Sequence, residues 1–186
     1  MKNKQINLYL KDNPIKSAKD MPIPLTWNKI DNEWKENLKK SNQFWFSGFA
    51  GKLEDRFSNR IDEIIKILQL RDKLLEFGGE EACMSFIEED LQNIINRGEF
   101  WYGDNCSLIK GEPSRCHSNC AYLWEVNKDK IVICTGYALS KDGMWRQHTW
   151  CIETRSGKII ETTVKRIAYF GFVLTVDEAE EFLSNY

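Results

Sequence analysis

Residues 131–153 read IVICTGYALSKDGMWRQHTWCIE, and the fold turns on them. Ile131 to Leu139 is apolar and β-branched, interrupted by Gly136, and Asp142-Gly143 is a strong two-residue hairpin signal. Met144 to Glu153 then returns as an antiparallel partner. Ser156-Gly157 marks another turn, Ile159 to Val164 a third strand, and Ile167 to Leu174 a fourth. The expectation is an antiparallel sheet of about four strands.

A two-residue turn pairs Lys141 with Met144, and so sets His148 opposite Tyr137 and Cys151 opposite Cys134. For the next hairpin, a two-residue turn pairs Arg155 with Lys158, and a four-residue turn pairs Glu153 with Lys158. Under either register Glu161 shares a sheet face with His148, because side chains alternate along a strand. Under the second, His148 opposes Thr163 and lies diagonal to Glu161, within reach of long side chains.

Just upstream, Pro113-Ser114-Arg115-Cys116-His117-Ser118-Asn119-Cys120-Ala121-Tyr122-Leu123-Trp124 reads as a helix. Ser114 is the expected N-cap, and Cys116, Cys120, Leu123 and Trp124 recur at helical spacing. Cys116 then falls in the first turn, facing the protein. Unpaired N–H groups and the helix dipole favour a thiolate there, and only a thiolate is a useful nucleophile. A thiol also needs a base. His117 adjoins Cys116 and points about 100° away on the helix, so His148, carried on a separate strand, is the better partner. Glu161 would fix its tautomer and stabilise imidazolium.

Farther upstream, Phe57, Ile61, Ile64, Ile65, Leu68 and Leu75 mark an amphipathic helix over Arg56 to Phe77, stopped by Gly78-Gly79. A second helix is expected over about Glu80 to Arg97, giving an antiparallel helical hairpin over 56–97. Residues 99–112 read as irregular. Thr175-Val176-Asp177-Glu178 is a capping box opening a final helix over 175–186. Residues 1–42, with Pro14, Pro22 and Pro24, read as an extended arm anchored by Trp27, Trp34 and Leu38. Phe44-Trp45-Phe46 opens the compact part, so 43–186 is read as a single α+β domain with its Cys/His/Glu core over 113–174.

Composition narrows the function classes. The chain has 186 residues, 42% of them apolar and 29% charged, with a formal charge of −2, which gives no basic field for nucleic acid. No apolar run approaches a membrane span, and Met1-Lys2-Asn3-Lys4-Gln5 has no signal-peptide core. The expectation is a cytoplasmic protein whose six cysteines are thiols, with no cofactor.

Cysteine at a helix start, then histidine and an acid on successive antiparallel strands, resembles the core order of the papain-like superfamily, nearest its transglutaminase-like and arylamine acetyltransferase branches. The resemblance spans about Ser114 to Val164. It implies Cys116 as nucleophile, His148 as base and Glu161 as orienting acid, in a hydrolase or acyltransferase acting on a small-molecule or protein substrate. Glu161 stands where that superfamily more often has Asp or Asn. For the oxyanion glutamine this sequence offers Asn105 and Asn119. Asn119, Tyr137, Trp145, Arg146 and Trp150 are the expected substrate-contacting residues, the aromatics either as core or as the wall of a cleft beside His148. Two other readings stand beside the enzyme. One is a non-catalytic module that sequesters a small ligand or a protein. The other is a zinc-stapled scaffold using Cys116, His117, Cys120, His148 and Cys151, against which stands the strand alternation that sends His148 and Cys151 to opposite faces.

Overall fold

The computed structural model describes residues 61–85 and 88–186, so the proline-bearing arm and Phe44–Phe46 lie outside the described residues. Among the described residues it shows a mixed α+β architecture, with four helices and one curled sheet of seven strands.

The first helix, α1 (Ile61–Glu76), forms inside the expected stretch, but the residues it buries, Ile67, Leu70 and Leu74, are not those of the expected face, of which Leu75 is half-buried. Gly78 and Gly79 stop it with φ of 117° and 93°, values open to glycine alone at little cost. The second expected helix does not form as one piece. Glu81–Cys83 is strand β1, and only Leu91–Arg97 is helical, as α2. The reason is tertiary. Glu80 N–H donates to Gly143 O at 2.8 Å, Ala82 is buried, and β1 pairs in parallel with the strand that starts at Met144. An open strand edge overrides a modest helical pattern.

Residues 99–112, expected to be irregular, hold two more strands, β2 (Glu99–Tyr102) and β3 (Cys106–Leu108). Then come helix α3 (Cys116–Glu125), β4 (Ile131–Leu139), β5 (Met144–Glu153), β6 (Ile159–Glu161), β7 (Ala168–Val173) and α4 (Val176–Asn185). The sheet is thus larger than expected and mixed, not antiparallel throughout. Its order is β2-β7-β4-β5-β6-β3, with β1 also on β5, and both β1/β5 and β3/β6 are parallel. The two end strands, β2 and β3, are joined by only residues 103–105. Such a short link brings the ends of the sheet together and forces it to curl.

Curling gives two cores. The outer face carries Ile133, Tyr137, Trp145, Cys151, Phe170 and Phe172, packed under the helices. The inner face carries Trp101, Cys106, Cys134, Trp150, Ile152 and Tyr169. Inside, Gly136 and Gly171 are cross-strand neighbours, and a Cβ on Gly136 would lie 2.3 Å from Phe170 O. That close approach needs glycine on both strands.

The β4–β5 turn differs from expectation by one residue. Ser140 N–H donates to Met144 O at 2.9 Å, leaving Lys141-Asp142-Gly143 as a three-residue loop. Only Gly143 is left-handed (φ 80°), whereas a two-residue type I′ turn needs that conformation twice. Asp142 also draws its carboxylate onto Met144 N–H and Arg146. The slip sets His148 opposite Gly136 instead of Tyr137, and Cys151 opposite Ile133 instead of Cys134. The β5–β6 hairpin takes the four-residue turn: Glu153 N–H donates to Lys158 O at 2.9 Å, and Cys151 pairs with Ile160.

Candidate active site

Strand β5 is flanked along its length by β4, but its other edge is shared. β1 covers Met144 to Arg146 and β6 covers Cys151 and Ile152. Among the described strands none pairs with Gln147–Trp150 on that edge, and the start of α3 docks there. Thr149 is the dock. Its N–H bonds the Cys116 sulfur, its carbonyl takes the Cys120 thiol at 3.4 Å, and its hydroxyl meets His117 Nδ1 at 2.5 Å. One strand residue therefore holds the helix's first turn by three separate groups.

Cys116 is the first residue of α3, half-buried. The cap differs from expectation. Arg115 is the N-cap and makes no side-chain cap bond, while Ser114 takes the left-handed region at φ 60°. A non-glycine residue there costs about 1–3 kcal/mol. The conformation turns the chain sharply from the segment running beside β6 into the helix. Asn119 braces that turn, donating from Nδ2 to Glu112 O at 2.8 Å and accepting from Glu112 N–H at 3.1 Å.

The Cys116 thiol is set against His148, close enough for the two to shift each other's protonation. His148 is 3% exposed on the inner face, and its Nε2 lies 2.9 Å from Glu161 Oε2, which leaves Nδ1 as the nitrogen for the thiol. Glu161 has no exposed surface and is saturated with donors. Oε1 accepts from Thr162 N–H (2.9 Å), Thr163 N–H (2.8 Å) and the Thr163 hydroxyl (2.9 Å). Oε2 accepts from Tyr169 OH at 3.0 Å as well as facing His148. A buried carboxylate is tolerated only when so paired.

The electrostatics of the three groups agree. Burial pushes the Cys116 thiol up, but the His148 hydrogen bond and charge outweigh it, helped by the N–H groups of Thr149 and His117, so the thiol sits below its ordinary value. Burial pulls His148 down, but its bonds to Cys116 and Glu161 carry it above the usual imidazole value. Burial raises Glu161, and the His148 bond and charge with the Thr163 donors bring it below the usual carboxylate range. These are the directions of a thiolate–imidazolium–carboxylate set. Each partner stabilises the next one's charge.

No protein-family model, curated protein or solved structure matches the chain.

The other sequence-derived residues lie elsewhere. Tyr137 and Trp145 have no exposed surface and point to the outer core, Tyr137 bonding the Glu88 carboxylate and Trp145 Nε1 the Gly78 carbonyl at 2.8 Å. Arg146 is locked on Asp142 by two bonds, at 2.8 and 2.6 Å. Trp150 is fully buried inside, 6.5 Å from His148 and stacked on it. Asn119 faces a hollow of about 470 Å³ between α3 and the segment after β3, lined also by Ile109, Lys110, Arg115, Tyr122 and Leu123. Cys151 packs on the outer face with its thiol toward Cys120 O (3.9 Å), and Cys134 lies inside, so the two do not sit side by side. Among the described residues no group of three or more Cys, His, Asp or Glu is arranged to hold a metal, and no helix is long and apolar enough to cross a membrane.

Three residues that hold the site together have no counterpart in the sequence reading: Thr149, Tyr169 and, in part, His117, which the helix geometry only turns away from Cys116. His117 is half-buried, with its ring 4.9 Å from that of Tyr186 and 5.9 Å from that of Phe182 on α4. Burial, then the charge of His148, hold it below the usual imidazole value. It joins α3 to β5 and α4, and Thr149 Oγ1 occupies its Nδ1.

Proposed function

We propose that the protein is a thiol-dependent hydrolase or acyltransferase acting on an amide- or thioester-like carbonyl, resembling the papain-like superfamily in the order of its cysteine, histidine and acid. The observation that carries this reading is a half-buried helix-start thiol set against an imidazole whose far nitrogen is held by a fully buried, donor-saturated carboxylate.

The Cys116 thiolate attacks the carbonyl carbon, forming the S–C bond while the carbonyl π pair moves onto oxygen. N–H groups at the start of α3 stabilise that oxyanion. As the tetrahedral species collapses, the bond to the leaving group breaks and His148 imidazolium gives that group its proton. Neutral His148 then takes a proton from water or an acceptor nucleophile, which attacks the thioester. The Cys116 sulfur leaves as thiolate beside imidazolium, restoring the start. Glu161 stays ionised throughout and keeps the imidazole oriented.

Brief treatment with p-nitrophenyl acetate, followed by peptide mass spectrometry, tests the reading. The expected result is acetyl on Cys116 ahead of every other residue, lost in His148→Ala. Acetylation of Cys116 no faster than of Cys83, an exposed residue whose thiol partial desolvation raises, overturns it. A non-catalytic binder on the same fold would give that second result.

A further inference from the structure

Tyr169 has no exposed surface and sits on β7, separated from β6 by β4 and β5 in the sheet order. Its hydroxyl nonetheless reaches Glu161 Oε2 across the curled interior, at 3.0 Å. The three donors on Oε1 come from residues 162 and 163, immediately after Glu161 itself, so they hold only one oxygen and only from one side. Oε2, the oxygen that meets His148, is pinned from the opposite wall by Tyr169 alone.

The geometry points to Tyr169 as a positioning residue for the Cys116–His148–Glu161 set: its phenol shares Oε2 with His148, fixing the plane of the carboxylate and weakening its pull on the imidazole proton. This rests on the thiol-enzyme reading of the site.

The phenol suits the task because burial, and then the Glu161 charge, raise it far above its ordinary value, so it stays neutral and can only donate to the carboxylate. A carboxylate whose charge is spread over more donors is a weaker base. Glu161 then stabilises imidazolium without taking its proton. The ring itself packs 5.0 Å from Trp150 and 6.3 Å from His148, contacts that phenylalanine would keep. The groups facing the pair are Cys116 and His117 from α3, Tyr169 from β7 and Cys106 from β3, whose sulfur is 3.8 Å from the phenol oxygen. Lys165 acts on Cys106.

The test is the imidazole titration by NMR of histidine-labelled protein, which has only two histidines to assign. Two changes are compared with wild type: Tyr169→Phe, and replacement of Tyr169 by 3-fluorotyrosine, a stronger donor of nearly the same shape. Removing the hydroxyl is expected to raise the His148 midpoint by about one pH unit, and the fluorinated phenol to lower it. Opposite shifts cannot come from packing alone. If Tyr169→Phe does not fold, the fluorinated protein still decides by its direction. A His148 midpoint unmoved in the folded variants, or moved the same way in both, overturns the assignment. If His148 moves as expected while Cys116 remains a thiol at neutral pH, the positioning role stands and the nucleophile reading falls.

Discussion

Replacing Glu161 by Gln changes a single atom type at the most constrained point of the structure. Three donors converge on Oε1, so the amide must leave its oxygen there; the reverse flip would strand three buried donors. Its NH2 then faces Tyr169 OH and His148 Nε2. The phenol can rotate and accept. His148 has no such freedom: Nε2 must become the acceptor, its proton must sit on Nδ1, and Nδ1 faces the thiol. The thiol can no longer hand its proton to the ring. Losing the charge-assisted bond is worth about 1.5–3 kcal/mol, or about 10- to 150-fold in the thiolate–imidazolium population. Alkylation of Cys116 by iodoacetamide at pH about 6, far below an ordinary thiol value, should fall by that factor. Cys83 serves as the internal control, and its rate should not change. Glu161→Gln protein alkylating Cys116 within about twofold of wild type under those conditions would refute the reasoning.

Gly136→Ala would place a Cβ 2.3 Å from Phe170 O; urea melts should show a loss of about 1–3 kcal/mol. Arg97 joins α2 to Glu178 of α4 through bonds of 2.5 and 3.0 Å, and with the cap of α4 this takes the Glu178 carboxyl to about 2. A carboxyl held below its unfolded value of about 4.3 stabilises the fold above that pH and loses the effect as pH falls toward 2. Both side chains are about a third exposed, so the pairing should add only about 1 kcal/mol to the cost of Arg97→Ala in urea melts at pH about 6, an increment lost at the acid end, where the bond to Val173 O is still forfeited. Glu88 behaves oppositely: burial raises its carboxyl, so ionisation costs stability as pH rises through that raised value. Glu88→Gln, which can still accept from Tyr137, should melt higher than wild type at pH about 8.

The hairpins, the helix that begins at Cys116 and the final capping box were legible from local signals, although Ser114 turns the chain into that helix without capping it. Thr175 and Glu178 cap α4 reciprocally, as their spacing implies. The shared face of His148 and Glu161 followed from alternation, which gives the same answer for the two- and the four-residue turn. What was not legible depends on partners distant in sequence. The stretch Glu81–Cys83 becomes a strand only because β5 leaves an edge free, and Glu99–Leu108 becomes two strands only because β7 and β6 receive them. The slip at Asp142-Gly143 arose because one left-handed residue suffices for a three-residue loop. Tyr169 and Thr149 carry no motif. Their roles exist only once the sheet curls and β5 is left open beside His148.

The most direct test is the ultraviolet absorbance of thiolate across pH, taken as the difference between wild type and Cys116→Ser. A thiol paired with imidazolium should titrate below the ordinary thiol value of about 8.5, and the step should return to that range in His148→Ala. A Cys116 step at or above 8.5 in the wild type, unmoved by loss of His148, would contradict the pairing on which the chemistry rests.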